Sequence, residues 1–125
     1  MQYTECELVK ILLVDDNQSI TEMLSKYLMA KGHDCVVSND GRNGLTLMEH
    51  AKFDVVLLDL AMPEFTGIDV IEHLFSDGKI KENKIIIFTA SSIPDNEIDD
   101  LIKKGVYACI RKPITLDVLL QTLSQ

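Results

Sequence analysis

The sequence predicts an α/β protein in which five parallel strands form one sheet of order 2-1-3-4-5 between two layers of helices. Short apolar runs alternate along the chain with segments of helical periodicity, and five such pairs follow one another. A run without polar alternation, such as VVLL at residues 55–58, is typical of a strand buried on both faces. The alternation therefore favours a doubly wound (βα)5 three-layer sandwich.

Each element follows from a local pattern. Apolar and β-branched runs predict strands at residues 10–14, 35–37, 54–58, 85–88 and 107–111. A first helical face precedes Gly32, which suits a helix C-terminus, and consists of Ile20, Met23, Leu24, Tyr27 and Leu28. A second helix is expected at residues 42–51, and a third carries Ile68, Ile71, Leu74 and Phe75. A fourth runs from Pro94 to Gly105 with Ile98, Leu101 and Ile102 inward, and a fifth is capped by Thr115 and carries Leu116, Leu119, Leu120 and Leu123.

Length and composition limit the class of protein. The 125 residues are expected to form one domain, residues 1–125, with no effector domain in this chain. The net charge of −8 argues against direct binding to nucleic acid or to an anionic membrane, and no apolar run approaches the ~20 residues that span a bilayer. Cys6, Cys35 and Cys109 form no zinc pattern and are expected to be reduced thiols of a cytoplasmic protein.

Polar residues with chemical capacity stand where four of the predicted strands end. The first strand ends on Asp15 and Asp16, the third on Asp59, the fourth on Thr89 and the fifth on Lys112. In the order 2-1-3-4-5 these four strands are neighbours, and their carboxyl ends share one rim of the sheet. Three carboxylates, a hydroxyl and an ammonium are therefore expected to converge there.

This combination predicts chemistry that each residue alone does not. Two carboxylates ~4 Å apart repel by about 4 kcal/mol at an effective dielectric near 20, so a proton or a cation must relieve the cluster. A few oxygen ligands with room for water and phosphate suit Mg²⁺. Lys112 can pair with an incoming anion, Thr89 can hydrogen-bond a phosphoryl oxygen, and Asp59 can attack phosphorus. Taken singly, each residue also fits a turn, a helix cap or a solvated strand end.

The segments ILLVDD, DLAMPEFTG, IIIFTA and RKP, at these separations, resemble the receiver domain of two-component response regulators, and in particular the single-domain chemotaxis regulators. The resemblance covers essentially the whole chain and implies a flavodoxin-like fold. It implies that Asp59 is the phosphoacceptor. It also implies a Mg²⁺ cofactor. Asp16, Asp59 and the backbone carbonyl of Ala61 would bind the ion directly, and Asp15 would act largely through water.

The resemblance further implies that Thr89 and Lys112 hold the phosphoryl group, and that the bond before Pro113 is cis. The domain would be a non-enzymatic signalling protein that catalyses only its own phosphorylation and dephosphorylation. Its partners would be a sensor histidine kinase or a phosphotransfer protein, and a downstream protein that docks on the fourth helix, fifth strand and fifth helix. A homodimer is also compatible with the family.

One position departs from the family pattern. Receivers usually carry Tyr or Phe three residues before the lysine, and here that residue is Cys109, with Tyr107 two residues earlier. Because a cysteine is too small to replace the ring, we predict that Thr89 still moves on phosphorylation, while the aromatic part of the switch is weak or missing.

Other classes of protein use parts of the same pattern. A haloacid dehalogenase-type phosphatase needs an acid two residues after its nucleophile, where this chain has Ala61. A flavodoxin needs a phosphate loop rich in Ser, Thr and Gly after the first strand, where the acidic DDNQS would repel phosphate. Pseudo-receivers typically lack the acids or the lysine. A phosphohistidine carrier would use His33, His50 or His73, none of which falls at the predicted rim.

Overall fold

A computed structural model of the chain describes residues 9–89 and 93–112. Its elements are β1 (Lys10–Val14), α1 (Gln18–Ala30), β2 (Asp34–Ser38), α2 (Gly41–His50), β3 (Val55–Leu58), α3 (Gly67–Ser76), a 3₁₀ helix (Ile80–Glu82), β4 (Lys84–Thr89), α4 (Asp95–Lys104) and β5 (Ala108–Arg111). The predictions for Cys6, Pro113 and the fifth helix fall outside the described residues.

The described strands form one parallel sheet in the order β2-β1-β3-β4-β5, which confirms the predicted order. Their register brings the carboxyl ends level: Val14 of β1 pairs with Leu58 of β3, and Thr89 of β4 pairs with Arg111 of β5. The carboxyl ends of β1, β3, β4 and β5 therefore meet at one edge of the sheet.

Helices cover both faces because successive strand residues point to opposite sides. Ile11 and Leu13 of β1 belong to a buried cluster that includes Leu24 and Leu28 of α1. Leu12 and Val14 belong to the other buried cluster, which packs against α2, α3 and α4 through Leu45, Met48, Val70, Ile71, Leu74, Ile98 and Leu101. This gives the three layers that the sequence predicts.

Polar caps and glycines set the helix ends. Asn17 accepts a hydrogen bond from the backbone of Ile20, so the cap of α1 is Asn17 and not one of the acids before it. Thr66 and Asp69 form a reciprocal capping box that begins α3. Gly32 and Gly105, with φ of 95° and 131°, follow α1 and α4 in the left-handed region that glycine favours.

Three residues that the periodicity places on buried faces are exposed. Met23, Phe75 and Ile102 are 55%, 48% and 42% exposed. Each stands at the margin of its apolar stripe, where burial depends on a neighbouring element. Cys35 and Cys109 are free cysteines, as predicted. Within residues 9–89 and 93–112, the helices lack the length and apolar character needed to cross a bilayer.

Candidate phosphoacceptor and cation site

Three carboxylates meet at the carboxyl edge of the sheet. Asp15 and Asp16 follow β1, and Asp59 follows β3; the backbone N–H of Asp59 donates to the carbonyl of Val14 at 2.9 Å, which keeps the two strand ends together. One carboxylate oxygen of each acid lies within 4.8 Å of the others. Asp15 and Asp59 are buried, each 5% exposed, whereas Asp16 is exposed.

Lys112 brings a positive charge to this cluster. Its Nζ lies 2.7 Å from Oδ2 of Asp15 and 5.0 Å from the centroid of the Phe88 ring. Its backbone N–H donates to the carbonyl of Thr89 at 2.8 Å, so the end of β5 is fixed against the end of β4. Thr89 is fully buried, and its hydroxyl acts on the carboxylate of Asp59 by lowering its pKa.

The same local turn follows β1 and β3. Oδ1 of Asp15 accepts from the backbone N–H of Asn17 at 2.9 Å, and Oδ1 of Asp59 accepts from that of Ala61 at 3.2 Å. Hydrogen bonding to the N–H two residues ahead is characteristic of Asp in turns and aims each carboxylate along the rim. Ala61 thus contacts the cluster through its N–H, and the role of its carbonyl remains a prediction.

A close approach of α3 holds the segment that carries Asp59. The N–H of Gly67 donates to the carbonyl of Leu60 at 3.2 Å. A Cβ atom on Gly67 would lie 2.3 Å from the carbonyl oxygen of Asp59, so only glycine allows this contact. Glu64, with φ of 66°, reverses the chain between these residues.

The charges at the rim do not balance. Burial, and then the neighbouring Asp15 carboxylate, raise the pKa of Asp59; the N–H of Ala61, the ammonium of Lys112 and the hydroxyl of Thr89 act in the opposite direction. Three carboxylates face one ammonium in this cluster. A set of oxygen donors spanning 4.8 Å fits a small, hard divalent cation, for which ligands on opposite sides lie about 4.2 Å apart.

The fifth strand carries the departure from the family pattern. Cys109 pairs with Ile87 in the sheet and packs, half-buried, against the cluster on the α2, α3 and α4 side. Tyr107 lies just before β5; it is 46% exposed, and its ring centroid lies 4.2 Å from Nζ of Lys84. Neither side chain places an aromatic ring beside Thr89.

Sequence reasoning missed three residues that shape the site: Asn39, whose amide contacts the backbone of Asp15; Phe88, whose ring lies beside the ammonium of Lys112; and Gly67. A glycine at the start of a helix and an asparagine in a turn are common, so neither carries a distinctive signal. Phe88 could have been found, because it directly precedes Thr89 in a strand predicted to end at the rim.

A doubly wound sheet with an acidic cluster at its carboxyl edge is the arrangement of a known class of signalling domain. Residues 11–124 match the family described as the response regulator receiver domain, and the chain belongs to that family, whose role is phosphorylation-activated signalling. Membership in the receiver family argues against the three other classes of protein, namely the phosphatase, the flavodoxin and the phosphohistidine carrier.

Individual relatives agree. Over 114 residues the chain is 32% identical to the sensor histidine kinase RcsC of Salmonella typhimurium, covering 91% of this chain and 12% of that protein. The chain spans 12% to 36% of the length of the curated relatives it matches.

Solved structures show the same similarity. The chemotaxis protein CheY4 of Vibrio cholerae matches with a TM-score of 0.80 and 30% identity, covering 94% of this chain and 97% of that one. The response regulator TrrA of Thermotoga maritima, solved in complex with Mg²⁺-BeF, matches with a TM-score of 0.77 and 28% identity, covering 92% and 96%.

Proposed function

We propose that Asp59 accepts a phosphoryl group from the phosphohistidine of a sensor histidine kinase or phosphotransfer protein, or from a small phosphodonor. The observation that carries this proposal is the position of Asp59: it is a buried carboxylate at a strand end, clustered with Asp15, which pairs with Lys112. A buried carboxylate among like charges is costly unless it has a task or a counter-ion.

The acids divide the task of holding Mg²⁺. Both oxygens of Asp15 already have partners, Asn17 and Lys112, whereas Asp16 is exposed. This supports Asp16 as a direct ligand together with Asp59 and the carbonyl of Ala61, and Asp15 as a ligand acting through water. When bound, Mg²⁺ neutralises charge on the phosphoryl oxygens and on the attacking carboxylate.

The transfer step uses groups already at the rim. An oxygen of Asp59 forms a bond to phosphorus as the P–N bond of the phosphohistidine breaks, and the electron pair of that bond returns to the imidazole nitrogen. The product is an aspartyl phosphate. The ammonium of Lys112 pairs with one phosphoryl oxygen, and the hydroxyl of Thr89 donates to another.

The output of the phosphorylated domain is proposed to be a protein partner that docks on α4, β5 and the segment after it. The outer face of α4 is exposed and strongly acidic, with Asp95, Glu97, Asp99 and Asp100. Arg111 of β5 donates to the carbonyl of Ile93 at 2.8 Å and to Asp95 at 3.0 Å, which links the strand beside Lys112 to the start of α4. A structural change at the carboxyl edge of the sheet can therefore reach the acidic face of α4 through Arg111.

The test of the proposed acceptor is labelling by acetyl phosphate with Mg²⁺, followed by intact mass. The wild-type protein should gain one phosphoryl group. Asp59→Asn should gain none, whereas Asp54→Asn, at the opposite end of the same strand, should be labelled like the wild type. Equal labelling of Asp59→Asn and the wild type would overturn the assignment.

A further inference from the structure

Asn39 joins two segments of the site without facing the reacting groups. It lies in the turn between β2 and α2 and is half-buried. Its Nδ2 lies 2.7 Å from the backbone carbonyl oxygen of Asp15 and 3.1 Å from Oγ1 of Thr21. One side chain therefore contacts both the end of β1 and the first turns of α1.

The partners fix which way this amide faces. The carbonyl of Asp15 can only accept a hydrogen bond, so the nitrogen of Asn39, and not its oxygen, must face it. The hydroxyl of Thr21, buried at 2% exposure, donates to the carbonyl of Gln18 at 3.1 Å and is thus left to accept from Asn39. Both protons of the Asn39 amide are used.

The residues held by Asn39 bracket the exposed acid of the proposed cation site. Asp16 lies between Asp15, contacted directly, and the Gln18–Thr21 turn, contacted through a hydroxyl. A backbone hydrogen bond joins the same two segments, since the N–H of Asp15 donates to the carbonyl of Ser38 at 3.1 Å. The turn after β2 is therefore hydrogen-bonded to the chain both before Asp16, at Asp15, and after it, at Thr21.

We propose that Asn39 is a positioning residue for the cation site: it fixes the Asp15–Asp16 loop in the geometry that Mg²⁺ requires. The inference rests on the proposed function, since it assumes that these acids bind Mg²⁺. Mg²⁺ demands nearly ideal octahedral geometry, so a loop free to shift holds it less well. Loss of an outer partner of this kind typically lowers metal affinity about 10- to 100-fold.

The test compares Mg²⁺ affinity among variants by NMR titration at constant ionic strength. Asn39→Ala should bind Mg²⁺ about tenfold more weakly than the wild type. Asn43→Ala is the matched control, because Asn43, in the first turn of α2, donates to Oγ of Ser38 at 3.0 Å but makes no hydrogen bond to Asp15 or Thr21. It should keep the wild-type affinity, although both variants lose some unfolding free energy without metal.

A second pair tests the hydroxyl link. Thr21→Val keeps the shape and removes the oxygen, and should weaken Mg²⁺ binding; Thr21→Ser restores the oxygen and should restore the affinity. Unchanged affinity in Asn39→Ala, an equal loss in Asn43→Ala, or equal affinities of the two Thr21 variants would overturn the inference. The proposed function fails separately, if the wild-type protein itself neither binds Mg²⁺ nor accepts a phosphoryl group.

Discussion

The ammonium of Lys112 lies 2.7 Å from the carboxylate of Asp15, a residue 97 positions earlier in the chain. Their side chains are 13% and 7% exposed, so this ion pair is largely removed from water. In the metal-free protein, the ammonium of Lys112 is the positive charge that lies against the acidic cluster. Its removal leaves buried carboxylates without a counter-charge.

Lys112→Met should therefore destabilise the metal-free protein by about 3 kcal/mol, because the acids lose their counter-charge while the aliphatic length is kept. Urea unfolding measures the loss, and saturating Mg²⁺ should reduce it by supplying positive charge. Lys104→Met is the control: its ion pair with Glu72 is more exposed, 30% and 49%, and its loss should cost less than about 1 kcal/mol. A metal-free Lys112→Met protein as stable as the wild type would contradict the prediction.

Asp59 should limit the stability of the metal-free protein in a pH-dependent way. Burial, with the charge of Asp15, raises its pKa above the ordinary value of 3.8, so the folded state binds more protons than the unfolded state between those two values. The free energy of unfolding therefore falls as pH rises through this window. Asp59→Asn should be more stable than the wild type at neutral pH, and the difference should vanish below the ordinary value.

Urea unfolding across pH in the presence of a chelator checks this prediction. Asp99→Asn, which removes an exposed carboxylate from α4, should follow the wild-type curve. A difference between Asp59→Asn and the wild type that stays constant down to acidic pH would show that the gain does not come from titration of Asp59.

The two acids after β1 should differ in their effect on the metal. Asp16→Asn should lower Mg²⁺ affinity at least about tenfold, because it removes a proposed direct ligand, whereas Asp15→Asn should have a smaller effect. NMR titration measures both, with Asp34→Asn at the opposite end of the sheet as the control. A greater loss in Asp15→Asn than in Asp16→Asn would reverse the proposed roles.

The Tyr107 ring should remain in place on activation. It lies before β5 against the Nζ of Lys84, and Cys109 occupies the position where receivers usually carry a ring. With fluorotyrosine incorporated, the ¹⁹F resonance assigned through Tyr107→Phe should hardly shift when Mg²⁺ and beryllofluoride are added. Amide resonances of Thr89 and α4 should shift strongly.

Cys109→Tyr serves as the matched variant, because it restores a ring at the usual position and should add a fluorine resonance that responds to beryllofluoride. A Tyr107 resonance that shifts as much as that added one would contradict the prediction.

The fold was predictable because a buried parallel sheet leaves a plain signal. VVLL and IIIF carry no polar residue, and the expected limits of the fourth helix, Pro94 and Gly105, flank α4 directly. The predicted faces were wrong at Met23, Phe75 and Ile102. Periodicity gives the direction of a helix face, whereas the width of the buried stripe depends on how closely the next element approaches.

The clustering of the candidate site residues was predictable where chain topology alone brings them together. Asp15, Asp59 and Lys112 each follow a strand and Thr89 ends one, and parallel strands share their carboxyl edge. Asn39 was not predictable, since its partner at Asp15 is a backbone carbonyl and every residue has one. Gly67 is comparable: the atom it must avoid is the carbonyl oxygen of Asp59, which leaves no mark on the sequence.

The order of the strands along the chain also sets when the site can first work during synthesis. The ribosome releases the central strand β3 before the edge strand β5, which is the last of the described strands, so a nascent chain displays Asp59 before it has Lys112. At about 5–20 residues per second this interval lasts roughly 3–10 s. An unfinished chain carries the proposed acceptor without its counter-charge, so on the proposed mechanism a phosphorylated molecule is one in which β5 has already joined the sheet.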